Sequence, residues 1–158
     1  ISRGLVGSEM CIRDRVQSCL FSECKIRICK NRMKKEIKTS NAPEAIGTYS
    51  QAIATESLLF ISGQIPLDPK TMNLVDGIEN QIRQTFLNVE NILKEENLAF
   101  ENVIKLTILL DDLDNFELVN EVMTDLFQKP YPARAAYEVS KLPKNSSIEI
   151  ETIAVKIL

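Results

Sequence analysis

The sequence contains no histidine and no tryptophan among its 158 residues. The absence of histidine excludes Ser-His-Asp and Cys-His nucleophilic systems and every zinc site that uses a histidine ligand. Apolar runs are short: none approaches the roughly 18 residues that a membrane-spanning helix needs, so no membrane partner is expected. Glycine is scarce, and residues 33–158 contain neither a G-x-G-x-x-G nor a G-x-x-x-x-G-K-[ST] pattern. Nucleotide binding through a phosphate loop is therefore not indicated.

Charge and cysteine are distributed unevenly along the chain. Residues 1–32 hold seven Lys or Arg against three Asp or Glu, a net charge of +4. Residues 33–158 hold twelve against nineteen, a net charge of −7. All four cysteines lie in the first segment, at Cys11, Cys19, Cys24 and Cys29. Their spacing lacks the paired C-x2-4-C knuckles of a structural zinc site, so no metal is expected there.

Three interpretations compete for residues 1–32. A secretory signal is disfavoured, because no apolar stretch of roughly 7–15 residues precedes a small-residue cleavage site. A mitochondrial presequence agrees with the basic charge but not with Glu9, Asp14 and Glu23, since such peptides avoid acids. The third is a non-native tail: the string GLVGSEMCIRDR resembles translated sequencing-adapter sequence upstream of a start at Met33. We therefore expect a non-native or targeting tail at 1–32, one domain at 33–158, and a cytoplasmic location, or a mitochondrial one if the tail is a presequence.

Residues 33–158 alternate between strand and helix patterns. Apolar residues recur at three- and four-residue steps from Ile78 to Leu93, which predicts an amphipathic helix, with Asp76 and Glu79 at the spacing of a capping box. A second helix is predicted over 115–128, with Asp114 as its N-cap. Period-two or short apolar patterns predict strands at 35–39, 58–62, 103–110, 133–139 and 147–157.

This order predicts a single α+β domain, a mixed sheet with two main helices on one face. The strand over 103–110 is apolar on both faces, with Ile104, Leu106, Ile108 and Leu110 on one face and Val103 and Leu109 on the other. Two helices cover only one face of such a sheet. A second subunit is therefore expected to cover the other face.

Two strands carry candidate functional residues. Arg134 lies among small and apolar residues, which fits either an exposed strand charge or a guanidinium fork that binds a carboxylate. Glu149 and Glu151 alternate with isoleucine, which fits either two solvated glutamates or a carboxylate that acts in the site. Spacing alone leaves both pairs of interpretations open.

Four stretches of the chain, in order, resemble one family. They are AIGTYSQ at 45–51, ISGQIP at 61–66, Asp114-Asn115-Phe116 with Val119-Asn120, and PARAAYEVSKLP at 132–143 followed by IEI at 148–150. Together they resemble the RidA/YjgF family of enamine/imine deaminases. The resemblance covers about 33–158, and residues 1–32 have no counterpart in it.

The resemblance implies a chorismate-mutase-like fold assembled as a trimer, with sites in the clefts between subunits. It implies that Arg134 holds a substrate carboxylate and that Glu149 positions or activates the hydrolytic water, with Tyr49 as a further catalytic residue. The other residues that it places in the substrate pocket are Ser62, Gly63 and Asn120.

The implied reaction is hydrolysis of a reactive 2-imino acid to a 2-keto acid and ammonia. The imine carbon is already electrophilic, so no cofactor or metal is needed. The expected partners are a small imino acid and two further copies of the chain; nucleic acid is not expected. Two alternatives remain open: an endoribonuclease that acts on single-stranded RNA, against which the −7 charge argues, and a non-catalytic binder of small ligands.

We predict that residues 1–32 are dispensable, because they lack the periodic apolar pattern of a core-forming segment. A chain that begins at Met33 should keep the thermal midpoint and the activity of the full chain. Calorimetry and an activity assay on both chains test this. A clearly less stable or inactive shorter chain would contradict it.

Overall fold

The computed structural model describes residues 34–156, and it confirms a single α+β domain built from a six-stranded mixed sheet and two helices. The predicted tail at 1–32 lies outside the described residues and stays a prediction. The strands are β1 (Lys35–Ile37), β2 (Ala52–Ala54), β3 (Leu58–Gln64), β4 (Val103–Leu110), β5 (Ala133–Glu138) and β6 (Ile148–Val155). The helices are α1 (Ile78–Lys94) and α2 (Phe116–Leu126).

The strands follow the order β1-β2-β3-β6-β4-β5 across the sheet. All neighbouring pairs are antiparallel except β4 and β5, which run parallel because α2 carries the chain back between them. The sequence pattern did not indicate β2, a strand of only three residues. Chain reversal through α2 places β5 at one edge of the sheet, next to that helix.

One face of the sheet, called here the helix face, carries the core. Leu59, Leu106, Ile108 and Ile150 point towards this face and are fully buried. Helix α1 packs against β3 and β6 and buries Ile82, Phe86, Val89, Ile92 and Leu93 there, and α2 packs against α1. Both helices thus cover the same face, as predicted, and neither helix is long and apolar enough to cross a lipid bilayer.

The predicted helix caps are wrong in detail. Gly77, not Asp76, precedes α1; its φ of 83° lies in the left-handed region that glycine adopts without a Cβ penalty. Asp114 lies inside a short 3-10 turn instead of capping α2, and its N–H donates to the side chain of Asp112 at 2.9 Å. Local spacing found the ends of the helices but not the turns that precede them.

A register shift changes the expected faces of β4. Between Val103 and Lys105 the pairing with β6 slips, so Val103 pairs with core-facing Ala154 and is buried. Ile104 is exposed, whereas the sequence pattern placed it with the core residues. An irregularity of this kind inverts the side-chain alternation on one side of it.

The opposite face, called here the open face, has no helix over it among the described residues. Ile53, Phe60 and Ile153 form an apolar row across three neighbouring strands there, and Phe60 is 42% exposed. An apolar row on an uncovered sheet face is typical of an interface between protein chains.

We predict a homotrimer in which the open face is buried. Light scattering should give three times the chain mass of 17.9 kDa. Phe60→Asp should reduce that mass, because it places a charge in the buried interface. Leu87→Asp is the matched control, since Leu87 is 45% exposed on α1, on the other side of the sheet. A monomer mass at micromolar concentration, or equal effects of the two substitutions, would contradict the prediction.

Candidate functional site

A buried glutamine side chain organises the loop that carries Tyr49. The amide nitrogen of Gln51 donates to the carbonyl oxygens of Thr39, Ala42 and Pro43 at 3.0, 3.2 and 2.7 Å. Its amide oxygen accepts from the N–H of Thr39 at 2.7 Å. Because every polar atom of this amide is satisfied by backbone, residues 39–43 are tied to Gln51 at the start of β2, which closes the loop that carries Tyr49.

Tyr49 lies on this loop, about half exposed, at the mouth of a pocket on the open face. Its phenol oxygen accepts from the N–H of Ile46 at 3.3 Å. That bond leaves the phenol hydrogen free to donate towards the pocket.

An irregularity in β3 brings Ser62 and Gly63 to the same pocket. The pairing of β3 with β6 shifts between Ile61 and Gln64, so two residues of β3 fall where one would be expected. The Ser62 hydroxyl donates to the carbonyl oxygen of Ser50 at 2.7 Å, which ties β3 to the loop that carries Tyr49. Both residues of the bulge therefore lie on the open face.

The side chain of Glu149 occupies the space that a side chain at position 63 would fill. A Cβ on Gly63 would collide with the Glu149 carboxylate and lie 3.1 Å from its Cγ. Glycine at 63 is therefore required for this position of the carboxylate. Burial raises the pKa of the Glu149 carboxyl, and the negative charge of Glu151 raises it further.

We call this cavity the open-face pocket. Its volume is about 430 Å³, and its lining residues are Ile46, Gly47, Tyr49, Ser62, Gly63, Ile65, Pro143, Glu149 and Glu151. It combines apolar walls, two carboxyl groups and a phenol. Such a pocket can hold a water molecule beside a base.

Arg134 lies on the other face of the sheet. It pairs with core-facing Leu106 across β4 and β5, so its side chain points to the helix face. Its Nη1 donates to Oδ1 of Asn120 at 2.7 Å and to Sδ of Met123 at 3.3 Å. Its Cζ lies 4.7 Å from the ring centre of Phe116, within the range of a cation–π contact.

None of the ion pairs within residues 34–156 involves Arg134. In this part of the chain its contacts are with neutral groups, next to a pocket of about 310 Å³ called here the edge pocket. The lining residues are Asn120, Met123, Thr124, Tyr131, Pro132 and Arg134. A guanidinium without a charged partner, in a partly buried pocket, has the chemistry to bind a carboxylate.

The residues predicted from the sequence thus fall into two groups. Tyr49, Ser62, Gly63 and Glu149 meet in the open-face pocket. Arg134 and Asn120 meet in the edge pocket, on the opposite face of the same sheet. One copy of the described domain does not bring the two groups together.

Sequence reasoning missed the residues that support both groups. Gln51 lies in the motif at 45–51, but a motif does not reveal the four hydrogen bonds that its side chain makes. Phe116 and Met123 lie four residues before and three residues after Asn120, a helical spacing that could have shown that they share its face. Within residues 34–156, no three His, Cys, Asp or Glu side chains gather in a way that could hold a metal ion.

Comparisons with known proteins cover nearly all of the described domain. A family model described as Endoribonuclease L-PSP matches residues 39–156. A RutC family protein of Pyrococcus horikoshii is 50% identical over 125 residues, which cover 78% of this chain and 99% of that protein. The 2-iminobutanoate/2-iminopropanoate deaminase of Rattus norvegicus is 47% identical over 125 residues, covering 78% of this chain and 91% of that protein.

Solved structures agree with these matches. The RidA of an Antarctic Psychrobacter species has a TM-score of 0.76 at 41% identity, covering 77% of this chain and 99% of that chain. Sequence and fold therefore match over the same domain that carries the four motifs. The chain belongs to the RidA/YjgF family, whose family model bears the description Endoribonuclease L-PSP.

Proposed function

We propose that this protein hydrolyses small 2-imino acids, such as 2-iminopropanoate and 2-iminobutanoate, to 2-keto acids and ammonia. The observation that carries the proposal is the environment of Arg134. Neutral groups contact this cation, and no carboxylate of the described residues neutralises it. A small carboxylate substrate supplies the missing anion. The rat relative that carries this activity in its name supports the same substrate class.

Glu149 supplies the base that the proposed reaction requires. The oxygen of a water molecule forms a bond to C2 of the iminium, the C=N π electrons move to nitrogen, and the Glu149 carboxylate takes the water proton. The same carboxyl then returns a proton to the amino nitrogen, and the C–N bond breaks. The electron pair of the C–N bond leaves with nitrogen, and the Glu149 carboxylate takes the hydroxyl proton as that oxygen becomes the keto oxygen. This proton leaves on ammonia, so one iminium and one water give one 2-keto acid and one ammonium ion. A raised pKa makes this carboxylate a stronger base.

The proposed site joins the edge pocket of one subunit to the open-face pocket of the next. Arg134 and Glu149 point to opposite faces of one sheet, so a substrate of a few atoms does not reach both within one copy. In the proposed cyclic trimer each copy presents its β5 edge to the open face of a neighbour. The trimer then contains three sites, each with Arg134 from one copy and Glu149 from the next.

The description Endoribonuclease L-PSP supports a second candidate, cleavage of single-stranded RNA. RNA binding depends on neutralising phosphates with Lys and Arg, whereas the open-face pocket contains two glutamates. We therefore favour the deaminase. The two functions are separated by an ammonia-release assay on enzymatically generated 2-iminopropanoate and 2-iminobutanoate, run beside an RNA-cleavage assay. RNA cleavage without ammonia release would overturn the proposal.

We expect Arg134→Lys to lower kcat/KM for imine hydrolysis by about 10- to 150-fold, because the charge remains but the planar fork is lost. Arg134→Ala should lower it further. Arg83→Lys is the matched control, since Arg83 is an exposed arginine on α1 that pairs with Glu79 and Asp125. Full activity in both Arg134 variants would show that this residue does not bind the substrate.

We expect Glu149→Gln to lower kcat with little change in KM, because an amide can contact water but does not accept its proton. The thermal midpoint at pH 7 should stay the same or rise. A raised pKa means that the folded state favours the protonated carboxyl, so the ionised form at pH 7 lowers the stability of the wild type. Steady-state kinetics and calorimetry measure the two effects.

The Glu151→Gln variant tests whether Glu149, and not the neighbouring Glu151, is the base. The kcat of this variant at pH 7 should stay close to that of the wild type. The wild-type rate should fall as the pH drops through the raised pKa of Glu149, and this fall should move to lower pH in Glu151→Gln, because a like charge has been removed. Equal losses of kcat in the 149 and 151 variants at pH 7 would count against Glu149 as the base.

A further inference from the structure

Three residues of α2 form a stripe that contacts the guanidinium of Arg134. Phe116, Asn120 and Met123 are spaced four and three residues apart, so they lie one above the other on the same side of the helix. They contact Arg134 through a ring face, an amide oxygen and a thioether sulfur. We call these three residues the α2 stripe.

The acidic residues of α2 point elsewhere. Glu117, Glu121 and Asp125 are exposed, and Asp125 pairs with Arg83 on α1. Each group of the α2 stripe is uncharged. The helix therefore contacts the cation at three points without supplying an anion to neutralise it.

The donors that remain on Arg134 form one edge of the guanidinium. Nη1 donates both to Asn120 and to Met123. Within residues 34–156, Nε and Nη2 make no side-chain hydrogen bond. These two nitrogens carry parallel N–H groups that match the two oxygens of a carboxylate.

We propose that the α2 stripe is a positioning device, which fixes Nη1 of Arg134 so that the Nε–Nη2 edge is presented, with its charge uncompensated, to the substrate carboxylate. The inference rests on the proposed function for the identity of that carboxylate. Asn120, which the family resemblance places in the substrate pocket, then acts through Arg134. Met123 and Phe116 become positioning residues for the same cation.

Binding of 2-oxobutanoate by the full chain, measured by calorimetry, tests the device without depending on turnover. Asn120→Ala should weaken binding about tenfold, because an arginine that has lost its acceptor samples other rotamers. Met123→Leu, which keeps the volume but loses the sulfur acceptor, should weaken it about threefold. Asn120→Asp should weaken it more than Asn120→Ala, because a carboxylate at this position would pair with Arg134 and compete with the ligand.

Glu121→Gln is the control for charge. It changes the charge of α2 by one unit at an exposed position next to Asn120, and affinity should stay within about twofold because water and salt screen that position. Thermal midpoints of all variants separate a loss of folding from a loss of positioning. In the wild type, the Nε–H nitrogen resonance of Arg134, assigned by its loss in Arg134→Lys, should shift when 2-oxobutanoate is added.

The outcomes distinguish this inference from the proposed function. If no ammonia is released from imines but carboxylate affinity follows the expected order, the deaminase proposal fails and the positioning device stands. If imines are hydrolysed but the folded Asn120→Ala and Met123→Leu variants bind 2-oxobutanoate with the affinity of the wild type, the device is overturned and the deaminase proposal stands. The device is also overturned if the Asn120→Asp variant binds 2-oxobutanoate at least as tightly as the Asn120→Ala variant does. The same holds if the wild type binds no carboxylate.

Discussion

The alternation of side chains across a β-sheet keeps Arg134 and Glu149 apart. Arg134 pairs with core-facing Leu106, and Glu149 pairs with Leu109, which points the other way. The helices cover only the face of Arg134, and the face of Glu149 carries the apolar row around Phe60. A reaction that needs both residues therefore needs a second subunit, and the uncovered apolar face is where that subunit would bind.

Each half of the proposed site holds a charged group without an oppositely charged partner among the described residues. Arg134 contacts neutral groups within residues 34–156, and Glu149 is half-buried beside the like charge of Glu151. Structural charges are commonly paired, whereas unpaired, partly desolvated charges in pockets are typical of functional sites. The neutral α2 stripe contacts Arg134, and the absence of a side chain at Gly63 leaves room for the Glu149 carboxylate.

The sequence was sufficient for the long elements and for the motif residues. The period of α1 and the apolar runs of β3, β4 and β6 are local signals, so they predict structure directly. Register is not local. The bulge at Ser62 and Gly63 and the slip at Ile104 depend on pairing with β6, so the sequence pattern misassigned Ile104. The separation of Arg134 from Glu149 also cannot be read from a local pattern, because it depends on which strands are neighbours and how they align.

Mixing two inactive variants tests most directly the central claim, that each site is shared between subunits. Arg134→Ala and Glu149→Gln chains, refolded together in equal amounts, would form mixed trimers in which a wild-type Arg134 faces a wild-type Glu149 at one interface. Random mixing in a cyclic trimer should then restore about a quarter of the wild-type ammonia release. Mixtures as inactive as each variant alone, although mass spectrometry shows mixed trimers, would contradict the account.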